Sequence, residues 1–162
     1  MKKLVLAAIV GITAFLSSSA QAQTVSTTFN VNINLTTACT LTAVAPVDFA
    51  YTSFQVAAAT ATGGTFSVSC TNGRPYTLGL QAGNGAAVPP GAASLNITDD
   101  AVNLAYTLNL SAAGATGTGV AQPFSVTGTM AGGQSGTCVA GGVCNNIATG
   151  STNYIQTLIV NF

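Results

Sequence analysis

Charged side chains are scarce in this sequence, whose 162 residues include three Lys or Arg, three Asp or Glu, and no His or Trp. The lysines stand at positions 2 and 3, the arginine is Arg74, and every acidic residue is an aspartate. General acid and base catalysis needs a side chain whose pKa can be set near neutrality, and a serine nucleophile needs a base beside it. We therefore expect neither an enzyme nor a bound cofactor.

The same shortage of charge restricts the partners. Without the two N-terminal lysines, one arginine stands against three aspartates, a net charge of −2, so no basic patch can attract nucleic acid. Arg74 follows Asn and Gly and is predicted to be a turn residue. Asp99 and Asp100, with Asn96 or Asn103, could begin a calcium site, but an Asp pair between strands is far more often a turn, which we favour.

The N-terminus has the composition of an export signal. Residues 1–22 contain the two lysines, an apolar run over 4–16, and small residues that end in Ala-Gln-Ala. This pattern predicts a secretory signal peptide that is cleaved before Gln23, and the apolar run is too short to span a bilayer. The remaining chain, about 140 residues, is expected to form one exported domain with a sizeable core.

Four cysteines in an exported chain predict two disulfides, although three connectivities are possible. We favour Cys39 with Cys70 and Cys138 with Cys144, because each pair joins neighbours in the predicted strand order. The CVAGGVC stretch is no zinc site, since the chain has no histidine and no second close cysteine pair to complete four ligands.

Short β-type runs, separated by Gly, Asn, Pro and Ser, fill the chain after residue 38, and no segment has a helical period. Many short antiparallel strands indicate an all-β Greek-key sandwich of the immunoglobulin-like kind. The glycine-rich segments 82–91, 111–119 and 131–142 are interpreted as hairpin loops. Strands are predicted at residues 39–44, 47–51, 64–70, 75–81, 94–97, 102–110, 123–129 and 153–162.

Strict alternation marks the stretch TVSTTFNVNINLTTAC, residues 24–39. A period of two is typical of a half-buried strand, but an ordinary strand has about 5 to 6 residues, and here no proline comes before Pro46. From alternation alone, the stretch could be the first strand of a complete sandwich or a strand that pairs outside its own domain. The even positions from 24 to 34 are polar, and the odd positions are Val25, Thr27, Phe29, Val31, Ile33 and Leu35.

Several segments resemble, in order, the spore coat protein U domain, the subunit fold of archaic chaperone–usher pili. They are the alternating N-terminus that runs into Cys39, VDFAY at 47–51, FSVSCTNGRPYTLGLQAG at 66–83, LAYTLNL at 104–110 and GSTNYIQTLIVNF at 150–162. The chain departs from the family pattern at Ala50, where a glycine is usual, and it has no tryptophan after the Y-x-L strand.

The resemblance implies an immunoglobulin-like sandwich that lacks its last strand and so keeps a hydrophobic groove beside the C-terminal strand. A periplasmic chaperone would fill this groove first, and the N-terminal strand of the next subunit would replace it at the outer-membrane usher. Residues 1–22 would then be the signal peptide, 23–37 the donor strand and 38–162 the pilin domain. The groove would be formed on its C-terminal side by Tyr154, Leu158, Val160 and Phe162.

The implied function is that of a structural subunit, exported through the periplasm to the cell surface, whose head-to-tail fibres serve adhesion and biofilm formation. Two alternatives have the same fold. A secreted coat or matrix protein would assemble without an usher. A tip adhesin would bind a surface or sugar, but it would need no donor strand of its own, so the alternating N-terminus favours a shaft subunit.

Overall fold

A computed structural model describes residues 24–83, 92–138, 144–147, 151–152 and 154–162. The predicted signal peptide, the loop at 84–91 and the centre of the cysteine-bounded loop lie outside the described residues. The chain divides into two units, Met1–Asn34 and Leu35–Phe162. In the described part of the first unit, residues 24–34 form neither strand nor helix.

The described residues of the second unit form eight strands and no helix. Accordingly, no helix among them is long and apolar enough to cross a membrane. The strands are β1 (Cys39–Leu41), β2 (Ala59–Cys70), β3 (Pro75–Ala82), β4 (Ser94–Thr98), β5 (Ala105–Leu110), β6 (Gly114–Thr116), β7 (Gln122–Met130) and β8 (Gln156–Asn161).

Two antiparallel sheets form an immunoglobulin-like sandwich, as the sequence predicts. One sheet has five strands in the order β1-β2-β7-β5-β4, and the other has three in the order β6-β3-β8. Alternate residues of β2 and β3 enter the core between the sheets, where the side chains of Val68 and Leu78 are 0% exposed. Phe66 stacks on Phe124 across β2 and β7, with ring centroids 5.7 Å apart. Period-two burial from both sheets thus produces one continuous core.

The two ends of the sandwich differ in what they carry. One end, here called the entry end, carries Cys39, the β2–β3 turn 71–74 and the β6–β7 connection 117–121. The last residues of the sequence also lie there, because Asn161 of β8 pairs with Thr77 near the start of β3. At the opposite end, here the far end, lie the segment 51–58, the β4–β5 turn 99–104 and the connections that follow β7 and precede β8.

Both predicted disulfides are present. Cys39 and Cys70 are opposite each other in the register of β1 and β2, with Cα atoms 4.1 Å apart. Cys138 and Cys144, with Cα atoms 4.9 Å apart, close the connection between β7 and β8. The first bond therefore holds the start of the fold to its neighbouring strand.

The predicted strand at 47–51 is wrong. Backbone hydrogen bonds continue the β1–β2 ladder to Ala45, whose N–H donates to the Thr65 carbonyl at 3.3 Å, and the chain then leaves the sheet at Pro46. Beside it, the register of β2 shifts between Thr62 and Thr65, and a Cβ on Gly63 would lie 2.3 Å from the Pro46 carbonyl oxygen. A bulge and a proline end the pairing, so residues 47–51 lie alongside the core without entering a sheet.

Other strand limits also differ from prediction. β2 begins at Ala59, five residues before the predicted start at 64. Its first six residues, ATATGG, have small side chains and therefore show no clear alternation of large apolar and polar residues. β5 begins at Ala105 instead of 102, because Asn103 adopts a positive φ of 50° in the preceding turn. β6 forms inside the predicted loop 111–119, and β8 begins at Gln156 instead of residue 153.

Candidate functional site

β8 lies at the edge of its sheet, since among the described strands it pairs with β3 alone. A cleft of about 490 Å³ opens between β8 and the segment 44–51 that has left the other sheet. Its floor consists of buried apolar side chains from the central strands, namely Leu80, Leu108, Val126 and Met130. The site is thus an apolar trough that has a strand edge along one side.

The structure places two of the four predicted groove residues in this cleft. Tyr154 and Leu158 line it. Val160 packs against the core cluster but does not line the cleft, and Phe162 is 50% exposed at the entry end. Leu158 pairs with the buried Leu80 of β3, so the even-numbered residues of β8 are the ones that face the core.

Gln156 lines the same cleft and was missing from the sequence prediction. Its Nε2 donates to the Tyr106 hydroxyl at 3.3 Å, and its Oε1 accepts from the Gly83 N–H at 3.2 Å. Burial raises the pKa of Tyr106, and the nearby Asp99 raises it further. A polar residue at an inward β8 position was detectable from the period of two, but its partners are far away in sequence.

The far end of the cleft is polar and centres on Asp99, whose side chain is 1% exposed. One carboxylate oxygen accepts from the N–H groups of Ala101 and Val102 at 2.9 and 3.0 Å, which is the predicted turn role. The other accepts from Asn146 Nδ2 at 2.9 Å and from Ser151 Oγ at 3.0 Å. Asp99 therefore also ties the connection before β8 to the β4–β5 turn.

Asp100 continues this tie at the surface. Its carboxylate accepts from the Thr152 N–H at 3.2 Å, and it shares the single hydroxyl hydrogen of Ser151, whose Oγ lies 2.7 Å away, with Asp99. Hydrogen bonds from Thr152 and then Ser151 lower the pKa of Asp100 from 3.8 to about 2. Together the two aspartates fix the segment that leads into β8, a role that their sequence motif does not reveal. Within the described part of the chain, no three Asp, Glu, His or Cys side chains gather as metal ligands would.

The six odd-numbered residues of the alternating N-terminus have exposed side chains. The exposed fraction is 92% for Val25, 83% for Phe29 and 86% for Ile33. Residues 24–38 belong to no strand in the single chain. Several large apolar side chains that are exposed together in one short segment are a feature of interaction sites. The full set is Val25, Thr27, Phe29, Val31, Ile33 and Leu35.

Comparison with known families agrees with this geometry. A family model described as the Spore Coat Protein U domain matches residues 25–161. The chain belongs to the spore coat protein U family. No curated protein and no solved structure gave a match.

The spore coat protein U family consists of structural proteins of the pilus and coat type, found in extracellular fibres and coats. The match begins at residue 25, so it includes the alternating segment, and it extends through β8 to residue 161. Both the exposed apolar segment and the cleft beside β8 thus belong to the part of the chain that defines the spore coat protein U domain.

Proposed function

We propose that this chain is the subunit of an archaic chaperone–usher pilus and that it polymerises by donor-strand exchange. One observation supports this most strongly: the same chain carries a cleft with a strand edge beside it and an alternating segment whose apolar side chains are exposed. Each surface supplies what the other needs. The segment 24–35 of one copy would lie against β8 of another copy and place its odd-numbered residues in the cleft.

The lengths of the two partners agree. From Tyr154 to Phe162, β8 and its flanks span five positions at a period of two, of which Tyr154, Gln156 and Leu158 line the cleft, and residues 25–35 present six. Donor and cleft lie at different places on one molecule, so the contact is heterologous and produces an open filament instead of a closed dimer. A complementing strand would also pair with the edge of β8 that no described strand covers.

The direction of the donor follows from where the chain enters the sandwich. β8 runs from the far end to the entry end, and β1 starts at the entry end. A donor parallel to β8 would bring two entry ends together, and each entry end would then have to serve two neighbours. An antiparallel donor leaves the cleft of one copy at the far end of that copy and leads there into the entry end of its own copy. All copies along the filament then point in the same direction. We infer the antiparallel arrangement.

The energetics suit a long-lived joint. Burying five large apolar side chains contributes about 1.5 to 3 kcal/mol each, or on the order of 10 kcal/mol before the cost of ordering the strand.

Because the uncovered cleft and the edge of β8 would promote aggregation, the pathway includes a periplasmic chaperone that covers them and an outer-membrane usher where exchange occurs. Adhesion and biofilm formation would be properties of the completed fibre. A coat or matrix protein that assembles without an usher would use the same joint.

Moving the donor segment tests this proposal. β8 ends at the entry end, where an antiparallel donor begins, so residues 24–36 can be deleted from the N-terminus and appended after Phe162 through a short glycine-rich turn. We expect this chain to be a monomer that unfolds cooperatively, whereas the chain in its natural order, without the signal peptide, self-associates.

In a matched control, the appended segment has the same composition, but each odd-numbered residue changes places with the even-numbered residue that follows it. The apolar side chains then occupy the positions that face solvent. It should not give a stable monomer. The proposal would be contradicted by a stable monomer of natural order in which the amides of residues 24–35 are protected from hydrogen exchange, because these residues would then complete their own sandwich.

A further inference from the structure

We infer that in the polymer the far end of each copy binds the entry end of the next through a second contact, distinct from the donor strand. In this contact, Arg74 of one copy faces Asp100 of its neighbour beside an apolar loop. The inference rests on the proposed donor-strand joint. Its partner is a second copy of this chain, and three features of the described residues support it.

The first feature is the short connection between donor and domain. Ala38 is already bound to the β2–β3 turn, since its N–H donates to Thr71 Oγ1 at 3.0 Å and its carbonyl accepts from the Thr71 N–H at 3.0 Å. Three Cα steps separate Leu35 from Ala38, a distance of at most about 11 Å. A donor that leaves one copy at its far end therefore holds the turn 71–74 of the next copy close to that far end.

The second feature is an apolar loop at the far end. Phe54 and Val56 are 70% and 96% exposed, and Phe54 has a positive φ of 61°. Yet the loop is held in place, because the Phe54 N–H donates to the Gln134 carbonyl at 2.8 Å and Gln55 Oε1 accepts from the Thr52 N–H at 2.9 Å. A non-glycine residue kept in this conformation with its aromatic ring in water is typical of a functional contact. At the entry end, Val120 is 65% exposed and offers an apolar partner.

The third feature is the distribution of charge. Arg74 carries the only positively charged side chain after residue 3, and it is exposed in the turn at the entry end. The backbone N–H of Arg74 donates to the Thr71 carbonyl at 3.0 Å. Asp100 is exposed at the far end. Stacking copies in one direction brings these opposite charges to the same junction, whereas joining like ends would separate them. Complementary charge fixes register and orientation in this way.

The test is a double-mutant cycle on polymers of the full mature chain, with Arg74→Gln, Asp100→Asn and both together. The rate at which polymers dissociate into subunits is measured at low and high salt. Each single variant should raise this rate about two- to fivefold at low salt, the range of an exposed ion pair, and the double variant should match either single one. High salt should remove the difference. Asparagine at 100 keeps one oxygen that can accept from Thr152 but loses the other acceptor oxygen, so the coupling between the two changes, and not the single effect of Asp100→Asn, reports the ion pair.

A matched control keeps the net charge but moves the cation, by combining Arg74→Gln with Thr127→Lys on the exposed face of β7. This variant should dissociate as fast as Arg74→Gln alone. Phe54→Ser should also speed dissociation, whereas the matched Thr127→Ser, on the exposed face of β7 and away from both ends, should not. Additive effects in the cycle, or polymers indifferent to all of these changes, would overturn the second contact and leave the donor-strand joint intact. If the unsubstituted chain formed no polymer, the proposed function would fail and this contact with it.

Discussion

A charge placed in the donor segment should abolish polymerisation or leave it unchanged according to whether its position is odd or even. Phe29 and Ile33 are 83% and 86% exposed in the single chain, so nearly the whole side chain would enter the cleft on exchange. Replacing Ile33 by aspartate loses about 2 to 3 kcal/mol of burial. Protonating the aspartate to enter an apolar site at pH 7 costs about 4 kcal/mol more. Together, about 6 kcal/mol weakens the joint roughly 10⁴-fold.

The assay compares fibre yield on cells with the amount of soluble subunit bound to its chaperone in the periplasm. Ile33→Asp and Phe29→Asp should remove fibres and preserve the soluble complex, because these side chains are exposed in the single chain. Thr28→Asp and Asn32→Asp are the matched controls, and they should leave fibre yield nearly unchanged because their carboxylates stay in water. Loss of the soluble complex with Ile33→Asp would refute the reasoning, since the segment would then belong to the core of its own subunit.

Three further predictions concern the fold. Replacing both Cys39 and Cys70 by alanine should lower the free energy of unfolding by about 3 to 4 kcal/mol, as expected for a disulfide that spans 31 residues, measured by urea titration of the self-complemented chain. Gly128→Val should destabilise by about 1 to 3 kcal/mol or more, because a Cβ at this position would lie 2.3 Å from Cζ of Phe49. The pKa of Asp100 is lowered to about 2, so its stabilising contribution is complete above pH 3.8 and is lost as the pH falls towards 2. Thermal unfolding of Asp100→Asn should lack that part of the acid dependence.

Each of these has its own control. Replacing both Cys138 and Cys144 by alanine should lower the free energy of unfolding by about 2 kcal/mol, less than the loss of the Cys39–Cys70 bond, because this disulfide spans only 6 residues. Thr127→Ala, on the exposed face of the same strand as Gly128, should be nearly silent. An acid transition identical in Asp100→Asn and in the unsubstituted chain would show that Ser151 and Thr152 do not hold an ionised carboxylate.

The sequence predicted the fold well where strands carry large side chains in alternation. The limits of β3, β4 and β7 agree with prediction to within one residue, because PYTLGLQ, SLNIT and PFSVTGT carry large side chains between segments that contain turn residues. Prediction failed where the chain leaves the five-stranded sheet between β1 and β2. VDFAY has the composition of a strand, but whether it pairs depends on the β2 bulge and on the position of Pro46, which only the register reveals.

The candidate site was only partly accessible to sequence reasoning. The donor segment has a local period of two, so its odd positions could be proposed without a structure. The cleft is built from residues that lie far apart, such as Val47, Met130 and Leu158, and no local pattern joins them. Asp99 is similar, because its turn role is local, whereas its bonds to Asn146 and Ser151 span 47 and 52 residues.

The central claim is that residues 24–35 of one copy complete the sandwich of another. Electron cryomicroscopy of purified fibres, at a resolution that separates strands and shows side chains, tests it most directly. The account predicts density for residues 24–35 that is antiparallel to β8 of the neighbouring copy, with Phe29 and Ile33 pointing into the cleft that Leu158 and Val126 line. Density that follows residues 24–35 into the cleft of their own copy, or a cleft left open in the fibre, would contradict it.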